Sequence, residues 1–205
     1  MKLGIIGSGA MGTGIAQVAL MGGEQVQLFD TNEEALDRAK NSLTGQFAKL
    51  VEKGKITEDR KEQLLSQVSY VRYMNDLSSC DWVIEAIVED LAVKKAVFAE
   101  LDALLPKTSI LATNTSSLSV TAIASACKHP ERVWGIHFFN PAFLMPLVEI
   151  IPAIQTDSSV ALACKELIDG WGKSTVMAKD TPGFIVNRIA RPYYGEAIRI
   201  YEEGI

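Results

Sequence analysis

Two sets of residues in this chain have the types and spacing to do chemistry. The first lies near the start, where Gly7-Ser8-Gly9-Ala10-Met11-Gly12 spells Gly-x-Gly-x-x-Gly and Asp30 follows 18 residues after the last glycine. Three glycines alone are weak evidence. A strand before them, a helix after them and an acid at the end of the next strand turn them into a phosphate-binding loop. In such a loop Gly7 permits the tight turn, Gly9 lets the backbone approach a pyrophosphate, and Gly12 lets the helix pack close to the sheet. Ala10 and Met11 then open a helix whose N–H groups and positive dipole end suit phosphates. An acid placed like Asp30 bonds a ribose 2′-hydroxyl. A 2′-phosphate would meet Asp30 with Glu33 and Glu34 close behind, and no Arg or Lys follows at once to receive it. The cofactor implied is NAD, not NADP.

The second set is spread through the rest of the chain. It comprises Asn114-Thr115-Ser116-Ser117, then His137-Phe138-Phe139-Asn140-Pro141, then Glu149 twelve residues after His137, and Pro182-Gly183-Phe184-Ile185-Val186-Asn187-Arg188. Oxidising a secondary alcohol needs a hydride acceptor and a base for the hydroxyl proton, and histidine suits the second task. A carboxylate behind the histidine fixes its tautomer and stabilises the imidazolium as it forms. Donors on the substrate oxygen stabilise its developing alkoxide character. Each residue also has a plainer role available. A lone histidine in an apolar strand is often a satisfied core residue, Glu149 could be an ordinary strand carboxylate, and Ser116 or Asn187 could merely cap a helix. The Asn-Pro turn, Glu149 and the dinucleotide motif together favour the catalytic role.

Positioning these residues takes a sheet. Lys2 to Ile6 reads as a buried strand, Thr13 to Leu20 as a helix closed by Gly22-Gly23, and Gln25 to Phe29 as a second strand, a βαβ start. Residues 31–67 are longer than a usual crossover and read as two helices, about Glu33 to Lys53 and onward from an N-cap at Thr57. Two helices where one would serve predict an arm projecting from the sheet. Further strands are predicted at Tyr70–Tyr73, Trp82–Ile84, Ser109–Ala112, Arg132–Phe138, Pro146–Ile151 and Ser174–Ala178. Helices are predicted at Val93–Leu104, Leu118–Ala126, Ser158–Trp171 and Phe184–Glu203. The alternation predicts an α/β fold with a doubly wound, mainly parallel Rossmann-type sheet.

Bulk properties narrow the partners. Apolar residues make up 48 % of the 205, enough for a core, and the net charge of −5 offers nothing to nucleic acid or an anionic membrane. No apolar run approaches the ~18 residues of a membrane span, and the N-terminus lacks the basic stretch of a secretory signal. Cys80, Cys127 and Cys164 are odd in number and widely spaced, as expected of free thiols in a reducing cytoplasm, and no metal site is indicated.

The second set, in this order and spacing, resembles the L-3-hydroxyacyl-CoA dehydrogenase family from about Lys2 to the last residue. The resemblance implies NAD-dependent, reversible oxidation of (S)-3-hydroxyacyl-CoA to 3-oxoacyl-CoA, in fatty-acid β-oxidation, butanoate or aromatic-degradation metabolism. It implies that His137 is the general base, that Glu149 orients it, that Ser116 bonds the substrate oxygen and that Asn187 positions the substrate. Glu89, Lys94, Asn114, Ser116 and Asn140 would contact the cofactor. The helical arm would cover the CoA moiety, with Ser42 and Lys49 as candidate contacts. Residues 1–180 would form the NAD-binding domain. Residues 181–205 would begin an all-α dimerisation domain of which the chain holds about one helix, so that the sequence is expected to be a truncated form. The partner implied besides acyl-CoA is a second copy, a homodimer through that helical region. An isolated amphipathic final helix would expose apolar surface and favour self-association. One departure stands out: many members carry a lysine where Pro146 stands, and a proline there also occurs in the related gulonate-dehydrogenase and λ-crystallin group. Two alternatives therefore remain, a dehydrogenase for a free hydroxy acid or sugar acid, and a non-catalytic dinucleotide-binding module.

Overall fold

The computed structural model describes residues 1–205, except for the side chain of Ala161. One eight-stranded sheet runs through it, formed by β1 (Lys2–Ile6), β2 (Gln25–Phe29), β3 (Val68–Val71), β4 (Trp82–Glu85), β5 (Ile110–Thr113), β6 (Val133–Phe138), β7 (Leu147–Pro152) and β8 (Ser174–Met177). Their order is β3-β2-β1-β4-β5-β6-β7-β8. All neighbours are parallel except β6 and β7. The mainly parallel, doubly wound fold expected from the alternation is present. Strand order reverses between β1 and β4, so a crevice opens beyond the carboxyl ends of those two strands, where ligands of such sheets bind.

The helices are α1 (Ala10–Met21), α2 (Glu33–Glu52), α3 (Glu58–Ser66), α4 (Leu91–Leu104), α5 (Val120–Ala124), α6 (Ser158–Gly170) and α7 (Val186–Glu202). Local chemistry explains their starts. Asn32 accepts the Ala35 N–H ahead of α2, Thr57 accepts that of Arg60 ahead of α3, and Asp90 accepts that of Val93 ahead of α4. Gly54, at φ +62°, ends α2 in the conformation that glycine adopts most cheaply.

The expected arm is there, but it does not stand clear of the sheet. Leu36, Ala39, Leu43 and Phe47 recur along one face of α2, and with Leu64 of α3 they join the buried cluster of β1, β2 and α1. Their 3-4 spacing is the apolar stripe of a helix packed on a core.

Several boundaries differ from expectation for identifiable reasons. The third strand spans Val68–Val71, not Tyr70–Tyr73, because its ladder with β2 runs from Val26↔Val68 to Phe29↔Val71 and Arg72 lies beyond it. α1 starts earlier than expected, at Ala10, with Gly9 as N-cap. α5 shrinks because Ser119 caps it and the Asp180 carboxylate takes the N–H groups of Val120 and Thr121. α7 begins at Val186, not Phe184, because Gly183 and Phe184 have φ of +77° and +49°. No residue of α7 is buried, and Tyr193, Tyr194, Ile198 and Tyr201 are exposed on it. Among the described residues no helix is long and apolar enough to cross a membrane.

Candidate active site

The glycine turn sits at the reversal of strand order. Gly7 adopts φ +97°, and a Cβ on it would meet the Ala86 carbonyl oxygen at 2.6 Å. A Cβ on Gly12 would lie 1.7 Å from the Gly7 oxygen, so α1 can press against the turn only with glycine there. At Gly9 a Cβ would meet nothing within 4 Å, leaving open space where a ligand could approach the backbone. Asp30, just past β2, accepts the N–H and hydroxyl of Ser8, both at 2.8 Å, and the Asn32 N–H at 3.0 Å. Burial alone would raise its pKa, but these bonds outweigh it and hold the carboxyl below its ordinary value. Asp30 lines a 340 Å³ cavity with Ile6, Phe29, Met74, Ile87 and Val97, an apolar slot suited to an adenine.

The two acids after Asp30 explain where nearby positive charge goes. Glu33 pairs with Arg72 at 2.7 Å and Glu34 lies 3.7 Å from Arg38. Arg72 thus already has a carboxylate partner at hydrogen-bond distance, while the Arg38–Glu34 pair is loose and exposed. Replacing Asp30 by asparagine removes the like charge such a phosphate would meet and is expected to shift relative affinity toward NADP by about tenfold. Paired titrations with NADH and NADPH test this, and an unchanged ratio would rule out Asp30 as the discriminating residue.

Beyond the turn lies a cavity of 410 Å³ lined by Met11, Glu89, Lys94, Asn114, Ser116, His137, Asn140 and Asn187. These residues come from well-separated stretches of the sequence. His137 and Glu149 are direct partners across the antiparallel β6–β7 pair, which is why twelve residues of separation bring them together. The His137 Nδ1 lies 2.7 Å from Glu149 Oε2, with both side chains buried. Nε2 is left, among the described residues, as the nitrogen without a protein partner. The imidazole is flanked by Phe139 at 4.5 Å and Phe184 at 5.7 Å between ring centroids. Glu149 does more than the sequence suggests. Its Oε1 accepts the N–H groups of Ile185 at 2.9 Å and Val186 at 3.0 Å, so one carboxylate holds both the histidine and the start of α7.

Ser116 stands on a turn gathered around Glu89, whose Oε1 accepts the Thr115 hydroxyl at 2.6 Å and the Ser116 N–H at 2.8 Å. The Ser116 hydroxyl reaches the same oxygen at 3.2 Å. Asn187 donates from Nδ2 to the Ser116 carbonyl at 3.2 Å, and Asn114 accepts the Phe138 N–H at 2.8 Å. Burial would raise the pKa of Glu89, but the Thr115 and Ser116 bonds and Lys94 outweigh it and hold its carboxyl below the ordinary value.

Lys94 lines this cavity, but its ammonium is already engaged, 2.6 Å from Glu85 Oε1 and 3.3 Å from Glu89 Oε2. Glu85 escapes a reading of the sequence. The available signal is an acid closing the otherwise apolar run Trp82-Val83-Ile84-Glu85, nine residues before a lysine. The two residues expected on the arm part company. Ser42 lines a 330 Å³ cleft with Gly9, Ala10, Arg38, Gln46 and Asn140, and Asn140 joins that cleft to the His137 cavity. Lys49 lines neither; it sits on the same helical face about two turns further along.

A doubly wound sheet with a glycine turn at its switch point, and an acid closing the next strand, defines a dinucleotide-binding domain of dehydrogenase type. The chain belongs to the 3-hydroxyacyl-CoA dehydrogenase family, whose NAD-binding domain model matches residues 2–181. It is 48 % identical over 201 residues to a 3-hydroxyadipyl-CoA dehydrogenase of Escherichia coli (strain K12), covering 98 % of this chain and 42 % of that protein. It is 43 % identical over 204 residues to a 3-hydroxybutyryl-CoA dehydrogenase of Bradyrhizobium diazoefficiens, covering 100 % of this chain and 70 % of the relative. Among solved structures, a 3-hydroxybutyryl-CoA dehydrogenase from Escherichia coli K12 superposes with a TM-score of 0.96 at 48 % identity, over 99 % of this chain and 43 % of that one. The chain thus spans less than half the length of the first of these relatives and about two thirds of the second.

Proposed function

We propose that this chain is the NAD-binding, catalytic portion of an enzyme that reversibly oxidises (S)-3-hydroxyacyl-CoA to 3-oxoacyl-CoA. The observation that carries this is the His137–Glu149 pair, 2.7 Å apart, in a cavity that also contains Ser116 and opens onto the glycine turn. Bound NAD would supply the hydride acceptor. His137 removes the hydroxyl proton at Nε2, the nitrogen that Glu149 leaves free by engaging Nδ1. Glu149 keeps the histidine in that tautomer and stabilises the imidazolium formed. The Ser116 hydroxyl bonds the reacting oxygen, and Asn187 fixes the Ser116 turn against α7. The pyrophosphate would lie on Gly7 to Gly12, and the 2′-hydroxyl of the adenosine ribose on Asp30.

The cleft under Ser42, Arg38 and Gln46 is the path assigned to the CoA chain, since it meets the His137 cavity at Asn140. The acyl group stays a class, not a compound, because the similar proteins act by name on both hydroxyadipyl and hydroxybutyryl thioesters. Residues 1–180 form the cofactor domain and residues 181–205 begin a helical domain. The exposed tyrosines and isoleucines of α7 support pairing of two copies through that region. The assigned chemistry fits fatty-acid β-oxidation in the cytoplasm.

The experiment is to supply NADH with acetoacetyl-CoA, with free acetoacetate or with a sugar acid in its oxo form. Consumption of NADH with the thioester alone supports the reading. Equal rates with the free acids would transfer the activity to the hydroxy-acid alternative, and NADH binding without turnover of any of them would favour the non-catalytic one.

A further inference from the structure

The His137 cavity carries a charge cluster that proton transfer to His137 does not require. Lys94 is 1 % exposed and Glu85 is fully buried. Glu85 answers every donor around it: Oε1 accepts the Ile87 N–H at 2.7 Å and the Lys94 ammonium at 2.6 Å, and Oε2 accepts the Thr113 hydroxyl at 2.8 Å. A network satisfied in this way is held in one geometry. Its charges do not cancel. Two carboxylates, Glu85 and Glu89, face one ammonium, and the cluster keeps one net negative charge beyond the end of β4. The hydrogen bonds that hold the Glu89 carboxyl below its ordinary pKa keep that charge in place. Glu149 adds another carboxylate behind His137, which lines the same cavity.

We infer that the Glu85–Lys94–Glu89 cluster sets the redox preference of the cofactor site, favouring the oxidised, cationic nicotinamide over the reduced, neutral one. The inference rests on the proposal that the nicotinamide end of the dinucleotide enters the His137 cavity. The oxidised and reduced cofactors share adenosine, ribose and pyrophosphate and differ by one positive charge on the ring. The ratio of their affinities therefore reports the field at the ring and cancels all other contacts. The Glu89 side chain is 36 % exposed, so solvent screens part of its field, but across a cavity walled by protein a fixed charge is still attenuated less than in bulk water. A neutral Glu85–Lys94 pair would not discriminate between the two forms, and Lys94 alone would favour the reduced one. The unmatched carboxylate, Glu89, tips the balance.

The test measures affinities of the whole chain for NADH, by its fluorescence, and for NAD, by displacement of NADH. Glu89→Gln leaves a neutral cluster and is expected to lower the affinity for NAD relative to NADH by about fivefold or more. The double variant Glu85→Gln/Lys94→Met removes one charge of each sign and retains the net negative one. Its ratio is expected to stay within about twofold of the parent, although it alters two buried side chains. A purely structural role would give the reverse order of effects. An unchanged ratio in Glu89→Gln, with both forms still bound, overturns the inference while leaving the cofactor site standing. So does a double variant whose ratio moves as far as that of Glu89→Gln. Should the double variant fail to fold, the ratio in Glu89→Gln decides alone. Failure of the parent chain to bind either form overturns the cofactor placement and this inference with it.

Discussion

Glu149→Ala will lower turnover by about 10²- to 10⁴-fold and will also destabilise the fold. Two separate causes act. The first is chemical: without the carboxylate at 2.7 Å, nothing holds the His137 ring with Nδ1 protonated and Nε2 ready to accept. The second is structural, because Glu149 is fully buried and also accepts the N–H groups of Ile185 and Val186. Alanine leaves those donors unanswered, at about 1–3 kcal/mol for each one kept from water. Glu149→Gln separates the causes. Its amide oxygen can still accept from Ile185 and Val186, but its NH₂ group would face Nδ1 and favour the wrong tautomer. The glutamine variant should therefore melt within a few degrees of the parent and still lose most activity, while the alanine variant loses both stability and activity. Thermal unfolding and NADH-linked rates on the two variants check this. Full activity in the alanine variant would remove Glu149 from the mechanism.

Gly12→Ala will abolish cofactor binding, weakening NADH by about 100-fold or more, through the overpacking that a buried close contact allows no room for. The added methyl would sit 1.7 Å from the Gly7 carbonyl oxygen, far inside any tolerated contact. Either α1 moves off the turn or the turn opens, and both misplace the N–H groups meant for the pyrophosphate. Gly9→Ala provides the contrast, since its methyl meets nothing within 4 Å. That variant should melt like the parent and lose affinity only when the dinucleotide arrives. NADH titration beside thermal unfolding distinguishes the two positions. A Gly12→Ala protein with parental stability and affinity would contradict the packing described.

Features that depend on short-range spacing are legible in the amino-acid sequence. The glycine turn needs particular residues at fixed offsets, and strand, turn, helix and acid all fall within Lys2 to Asp30. The His137–Glu149 pair is legible because an Asn-Pro turn joins two apolar strands, and their register then places the residues opposite each other. Features that depend on burial are hidden. Lys94 lines the cavity, as its expected cofactor contact requires, but nothing in its sequence neighbours shows that Glu85, at the end of β4, also pairs with its ammonium. Ser42 and Lys49 share a helical face, and only the length of the cleft separates them. The late start of α7 is hidden for a conformational reason. Phe184 adopts φ +49°, a region that residues other than glycine rarely visit, while the sequence around it reads as the start of one continuous amphipathic helix.

We propose His137 as the base of an NAD-linked dehydrogenase acting on CoA thioesters. The most direct test is the acetoacetyl-CoA-dependent loss of NADH absorbance, with the unaltered protein and His137→Gln measured side by side. Turnover is expected in the first and a rate lower by about 10²- to 10⁴-fold in the second, with NADH still bound by both. Equal turnover in the two proteins would contradict it, because the proton would then have another acceptor.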